Sequence, residues 1–310
     1  MPRVHIIGQG AIGLLYGYFL KSVADVTFCL KQPNSAKQYQ YQYQLDKTVE
    51  LCDFKNQANN DIEPIEFVII PTKAFAVLDA FMQIKPRLTK NAVIILSHNG
   101  MGSIEQIAPL LIAQQQLFFL TTTQAAYKAS PLHVIHTGSG ASNLGPINHA
   151  AKQTQHRVAE FLKPALQNLN LVADIDQLLW HKLLINVAIN PLSAAYEVQN
   201  GQLTAPKFAT EVFNLVYEVY LVAQSQGVRL ELAKALHLAY QVMRSTAANY
   251  SSMNRDITLG KPTEISAICG YVVEMAKLQH IDTPNNLAML HAILALEKAK
   301  KSAPLDTPLH

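Results

Sequence analysis

The chain has 310 residues, 49% of them hydrophobic and 15% charged, and 25 basic against 22 acidic side chains leave a net charge of +3. That length exceeds one ordinary domain, and the composition suits a folded core rather than a disordered chain. So balanced a charge, without a dense run of Lys and Arg, excludes a nucleic-acid or membrane-surface binder; no apolar run reaches the ~18 residues of a membrane span, and no signal-peptide core is present.

In chain order, RVHIIG (3–8) reads as a strand and AIGLLYGYFLK (11–21) as a helix. Strands are predicted at 26–30, 67–73, 92–99 and 117–123, and helices at 74–84 and 103–113. Continuous apolar strands alternating with helices indicate a parallel sheet covered on both faces. The segment 37–47, KQYQYQYQLDK, alternates Tyr39, Tyr41 and Tyr43 with Gln, so a strand carries all three rings on one side. It reads as an exposed edge or loop excursion, with stacking on a bound adenine as the open alternative. Short strands with Gly and Ser turns are expected within 133–146, then a helix at 148–168 and a strand at 170–174.

From about Asp174 the periodicity is helical, over 176–190, 206–227, 231–249, 263–280 and 284–301. Gly227 is a C-cap candidate and Thr283-Pro284 a helix start. Pro191 is expected to end or kink the helix before it. The expectation is an α/β chain: an N-terminal Rossmann-type dinucleotide-binding domain over 1–174 and an all-helical substrate domain over 175–310. Cys29, Cys52 and Cys269 are scattered, without a CxxC pair. They suggest reduced thiols in a cytoplasmic protein and no metal site.

Gly8, Gln9, Gly10, Ala11, Ile12 and Gly13 form G-x-G-x-x-G between a strand and a helix. In that context the first glycine permits the turn, the second lets a pyrophosphate approach the backbone, and the third lets helix pack on strand. The helix N-terminus then offers N–H groups to the anion. An NAD site usually carries Asp or Glu at the end of the second strand, but here that strand ends Leu30-Lys31-Gln32. A cation suits a 2′-phosphate, so NADPH is the expected cofactor, with Lys less discriminating than Arg. Lys73 and Asn99 are polar groups at two further strand ends, where ligands of open α/β sheets bind. His98 reads as structural.

The segment WHKLLINVAINPLSA (180–194) carries Lys182, Asn186 and Asn190 four residues apart among apolar neighbours. Four residues turn a helix about 400°, so the three lie within ~80° of one another. A solvated face would be a broader polar arc, whereas this line is one residue wide. A buried ammonium and two carboxamides need partners, and a cleft for an anionic, oxygen-rich ligand supplies them. The line is therefore expected to face the dinucleotide-binding domain across a cleft. Asn249-Tyr250-Ser251-Ser252, at the end of a helix, and Thr263-Glu264, opening the next, could complete it. Asn200-Gly201 alone is a turn signal.

Together, GQGAIG, K-A-F, HNGMG, TTTQAA, WHKLLINVAINPL, NGQL, NYSSM and PTEI, in order over nearly the whole chain, resemble the ketopantoate reductase (2-dehydropantoate 2-reductase) family. The resemblance implies a Rossmann domain and a helical domain with the active site between them. It also implies NADPH-dependent reduction of 2-dehydropantoate to (R)-pantoate, on the route to pantothenate and coenzyme A. By the same resemblance Lys182 is the general acid and Glu264 its catalytic companion. Asn186, Asn190, Asn200, Asn249, Tyr250, Ser251 and Ser252 hold the substrate, with Ser252 near its carboxylate. Asn99 touches substrate and cofactor, and Lys73, Ala126 and Glu264 line the cofactor side.

The chain departs from the family pattern at Lys31, where many members have Arg, and at Leu120, Tyr127 and Ser266. The last three leave the exact 2-oxo acid open. Another branched 2-oxo acid is one alternative. A β-hydroxyacid dehydrogenase is opposed by Asn190-Pro191, Asn249–Ser252 and Glu264. A non-catalytic NADPH sensor is opposed by the presence of the lysine and its companions. No sequence feature fixes the oligomeric state, and a homodimer through the helical domain stays open.

Overall fold

The computed structural model describes residues 1–44, 47–166 and 168–302. Leu45 and Asp46 of the Tyr/Gln segment, Gln167 of the expected helix 148–168, and the last eight residues of the expected helical domain lie outside them. The chain separates into two compact units, one of residues 1–98 and 103–175, the other of residues 99–102 and 176–310.

The first unit runs β1 (Arg3–Ile7), α1 (Ala11–Leu20), β2 (Asp25–Leu30), β3 (Gln38–Tyr43), β4 (Val49–Asp53), β5 (Lys55–Ala58), β6 (Ile65–Ile70), α2 (Ala74–Ile84) and β7 (Leu88–Leu96). It continues through α3 (Ser103–Ile107), β8 (Gln116–Thr122), β9 (Ala125–Ser130), β10 (His133–Gly138), β11 (Ser142–Pro146), α4 (His149–Leu162) and β12 (Leu169–Leu171). Eight strands form one sheet in the order β12-β11-β8-β7-β6-β1-β2-β5. All its neighbours are parallel except β8 and β11. The central strands β1, β6, β7 and β8 are buried almost throughout their apolar runs, as strands covered on both faces must be.

A second sheet, β4-β3-β10-β9, corrects the reading of the Tyr/Gln segment as an edge or loop excursion. β3 is an interior strand, antiparallel to β4 and parallel to β10. Tyr39 and Tyr41 are buried. Tyr39 donates its hydroxyl to the Leu14 carbonyl at 3.0 Å, and Tyr41 stacks on Tyr18 with ring centres 3.4 Å apart. These two rings are core contacts against α1. The expected helix 103–113 is only one turn long as α3, followed by a 3₁₀ turn over 108–110 that contains Pro109. The helix at 148–168 stops at Leu162, and the strand at 170–174 is the three residues of β12.

The second unit holds α5 (Ile175–Ala195), α6 (Ala209–Ser225), α7 (Leu232–Ser245), α8 (Ser252–Thr258), α9 (Tyr271–Leu278) and α10 (Pro284–Ser302), with a π-helical turn over 266–270 leading into α9. Its core gathers Trp180, Leu183, Val187, Val216, Val219, Val272 and Ile293 among many others. Gly227, at φ +76°, closes α6, and the Val228 N–H reaches back to the Ala223 carbonyl at 3.0 Å. α5 passes through Pro191 to Ala195, contrary to the expected stop. The proline removes the ladder bond to the Val187 carbonyl. Full burial of Leu192, Ser193 and Ala194 holds the last turn in place, so packing overrides local propensity.

Among the described residues no helix is long and apolar enough to cross a membrane. All three cysteines are free and buried.

Candidate functional site

In the first unit the glycine loop joins β1 to α1. Gly8 sits at φ +86°, in the left-handed region that glycine tolerates best. A Cβ on Gly13 would lie 2.8 Å from the Gly8 carbonyl oxygen, so this glycine lets the helix close on the turn. Gly10 differs. Its φ is −67°, and outside its chain neighbours a Cβ would meet nothing nearer than the Pro71 carbonyl oxygen at 4.0 Å. Among the described residues no contact requires that glycine, and the space it leaves is of the kind through which a pyrophosphate approaches the backbone in such loops.

Three more features fit a dinucleotide there. α1 begins without a side-chain cap and without an acid in its first turn, so its positive end is unneutralised. The Gln9 amide nitrogen and the Thr72 hydroxyl are buried without hydrogen-bond partners beside this loop, and Thr72 Cγ2 lies 3.6 Å from a Cβ built on Gly8. Such atoms call for a ligand or water to pair with. The exposed Lys31 follows β2, and Asn34 in the same loop donates to Gln9 Oε1 at 3.3 Å. Half-buried Lys73 is the N-cap residue of α2, and half-buried Ala126 lies on β9 opposite His136. His98 hydrogen-bonds Ser103 at 2.6 Å and meets Phe119 edge-on, as a structural residue would.

A cavity of about 410 Å³ in this unit is lined by Tyr18, Phe19, Tyr41, Tyr43 and His136. It lies toward the far end of α1, ~13 Å along the helix from the glycine loop. Its polar groups pair with one another, Tyr41 with His136 at 2.9 Å and His136 with Gln124 at 2.8 Å.

In the second unit the polar line runs along α5. Trp180, Leu183, Leu184, Val187, Ala188 and Ile189 around it are all buried. Lys182 and Asn186 are half-buried and Asn190 is buried, so the line is not a solvated helix face. Burial pushes the Lys182 ammonium down from its usual 10.5 to about 8, against an opposing pull from the Glu264 carboxylate. Sequence alone left that balance open; desolvation prevails. The Asn186 amide nitrogen, one turn further along the same line, is buried and lacks a partner.

Glu264 is itself buried and accepts a hydrogen bond from Asn99 Nδ2 at 3.3 Å. The loop carrying Asn99 is fixed by the Met101 N–H on the Ala267 carbonyl at 2.8 Å. Gly100, at φ +79°, has no room for a side chain, since a Cβ would lie 2.5 Å from that same carbonyl oxygen. Lys182, Glu264 and Asn99 therefore form one electrostatic group.

The Asn249–Ser252 segment is corrected: it opens the short helix α8, which the periodicity did not reveal, and α7 has already ended at Ser245. Ser251 is its N-cap, accepting the Asn254 N–H at 3.1 Å and donating to the Asn190 carbonyl at 3.4 Å. Asn254 Nδ2 donates to the Ser193 carbonyl at 2.7 Å, so α8 is pinned to the end of the polar line. Ser252 is exposed as the first residue of α8, and Tyr250 is exposed beside it. Asn200 is buried, takes the Asn249 carbonyl on its N–H at 2.9 Å and donates its side chain to Thr246 at 3.0 Å; its Oδ1 is left without a partner. Ser193, Asn254 and Thr72 escaped sequence reasoning because single polar residues in apolar or loop context carry no periodic signal.

Two family models match the chain: "Ketopantoate reductase PanE/ApbA" over residues 4–149 and "Ketopantoate reductase PanE/ApbA C terminal" over 174–297. The 2-dehydropantoate 2-reductase of Vibrio cholerae is 34% identical over 302 residues, covering 97% of this chain and 100% of its own. A PanE/ApbA family ketopantoate reductase from Ralstonia eutropha JMP134 has a TM-score of 0.85 at 24% identity, covering 96% of this chain and 99% of its own. D-mandelate dehydrogenase, solved with NADH and anilino(oxo)acetate, has a TM-score of 0.88 at 19% identity over the same shares. These two structures share the fold, and the family matches with the Vibrio relative carry the assignment. The chain belongs to the ketopantoate reductase family, a family of oxidoreductases.

Proposed function

We propose that the protein reduces 2-dehydropantoate to (R)-pantoate with NADPH, as a step toward pantothenate and coenzyme A in the cytoplasm. The observation that carries this reading is the polar line of α5, a desolvated lysine coupled to Glu264 and followed by two carboxamides. The 34% identity to a 2-dehydropantoate 2-reductase supports the choice of acid.

A reduced nicotinamide, when bound, supplies a hydride to the C2 carbonyl carbon. Negative charge then develops on the carbonyl oxygen, and the Lys182 ammonium donates its proton there. Water later reprotonates the amine. The orphan amide of Asn186, with Asn190, Asn200, Asn249, Tyr250, Ser251 and Ser252, orients the 2-oxo acid, which removes part of the barrier by positioning. Glu264 keeps Lys182 protonated nearer neutral pH, and Asn99 donates to Glu264; the family resemblance assigns Asn99 to substrate and cofactor as well. Gly8 to Gly13, Lys31, Lys73 and Ala126 hold the dinucleotide. The direct test is to incubate the protein with NADPH and 2-dehydropantoate and identify the product. Formation of (R)-pantoate is expected, and no turnover at substrate saturation overturns the reading.

The pH profile follows from the lysine. Lys182 is an acid only while protonated, so kcat/KM for reduction is expected to fall as pH rises through about 8. Glu264→Gln removes the charge that raises this value, and the falling limb should move to lower pH. A limb that stays fixed in the variant contradicts the coupling. Lys31→Ala should raise the KM for NADPH roughly tenfold and leave that for NADH nearly unchanged. Equal losses for both cofactors argue against a 2′-phosphate contact.

A second reading has its own support. D-mandelate dehydrogenase shares the fold at a TM-score of 0.88, so reduction of another 2-oxo acid fits the same frame.

A further inference from the structure

The glycine loop carries a cation that no motif marks. Lys128 lies on β9 of the second sheet, and its Nζ donates to the Gln9 carbonyl oxygen at 3.0 Å. β9 packs against α1, which brings this ammonium to the residue just before the α1 N-cap, Gly10. An ammonium at that end of a helix is electrostatically unfavourable, because the helix N-terminus is itself positive. Here neither a capping side chain nor an acid in the first turn offsets it. The lysine therefore stands at the positive end of the helix, beside the residue whose missing side chain leaves space open. The buried, unpartnered amide nitrogen of Gln9 adds a donor at the same loop.

We propose that Lys128 is a cofactor-anchoring residue, whose ammonium leaves the Gln9 carbonyl to pair with the pyrophosphate of the bound dinucleotide. The proposal rests on the nicotinamide reading of the glycine loop. The long exposed stem of Lys128 allows the exchange, and a pyrophosphate offers a charged acceptor in place of a neutral carbonyl. The pyrophosphate is favoured over the 2′-phosphate because Lys128 bonds the loop itself, whereas Lys31 follows the β2 end. Lys128 is thus assigned to binding affinity, and Lys31 to the choice between the two dinucleotides.

The test measures dissociation constants of NADPH and NADH by calorimetry, without turnover, for the wild type, Lys128→Ala, Lys128→Arg and Lys31→Ala. Thermal melts establish that each variant is folded. Lys128→Ala is expected to weaken both nucleotides equally, by roughly fivefold, the scale of one partly exposed ion pair. The loss should shrink at high salt, and Lys128→Arg should restore both affinities. Unchanged affinities in Lys128→Ala overturn the proposal. So does a loss confined to NADPH, which would put the lysine on the 2′-phosphate. Failure of the wild type to bind either nucleotide overturns the nicotinamide reading, and the proposal falls with it.

Discussion

Lys182→Ala is expected to lower kcat by roughly 10²–10⁴, the usual effect of removing a positioned acid, with nucleotide affinity kept. The argument begins with burial. An ammonium among Leu183, Ile185 and Leu184 on an apolar helix is desolvated, and its pKa falls to about 8. Such a proton is more readily given up than that of an ordinary surface lysine, yet the group is still mostly charged at neutral pH. The same shift predicts what happens to stability. A lysine whose folded pKa lies below its unfolded value destabilises the fold while protonated in both states. That cost is complete below pH 8 and is relieved as pH rises toward 10.5. Alanine removes this titration, so the rise in stability of the wild type between about pH 8 and 10.5 should be absent from the variant. Steady-state kinetics beside a denaturation curve check both halves. Near-normal turnover contradicts the role assigned to the lysine.

Glu218→Ala should lower the unfolding free energy of the second unit by about 3–5 kcal/mol. Glu218 is buried on α6 and accepts four hydrogen bonds at the start of α10. Asn285 gives its N–H at 2.8 Å and its side chain at 2.6 Å; Asn286 gives its N–H at 2.8 Å and its side chain at 2.7 Å. A carboxylate here satisfies orphan N–H groups and opposes the positive helix end. Alanine strands the buried Asn286 N–H, at about 1–3 kcal/mol, and removes the acceptor of the half-buried Asn285 donors; the Asn286 side chain keeps only the Leu215 carbonyl at 3.3 Å. Denaturant titration and amide exchange at Asn285 and Asn286 read the effect. Unchanged protection at those two amides contradicts it.

The α/β half was legible where physics is local. Apolar runs such as FVII and AVIIL can be satisfied only by burial on both faces, and β6 and β7 occupy the middle of the sheet. The glycine loop was legible because its pattern sits between a strand and a helix; Gly8 answers the turn and Gly13 the close approach of the helix. The second sheet was not. β3 is half glutamine, and its partner β10 comes some ninety residues later, so nothing local says that Tyr39 and Tyr41 are covered. The run of α5 through Pro191 was hidden for a similar reason, since burial of the residues beyond it outweighs one lost backbone bond. α8 is too short for a periodic signal, and its start is visible only through the Ser251 cap and its bond to Asn190.

At the site, the sequence revealed the line Lys182-Asn186-Asn190 from spacing alone, because a polar stripe one residue wide needs a reason to be there. It could not say whether Glu264 or desolvation governs the lysine, which depends on distances across the fold. Lys128 was invisible, since a lysine on a polar strand looks like ordinary surface until its contact with Gln9 is seen.

The most direct measurement is kcat/KM at saturating NADPH for 2-dehydropantoate against a panel of branched and aryl 2-oxo acids. The account predicts the highest value for 2-dehydropantoate and its collapse in Lys182→Ala. A preference for an aryl 2-oxo acid, or NADPH oxidation with none of the panel, would contradict it.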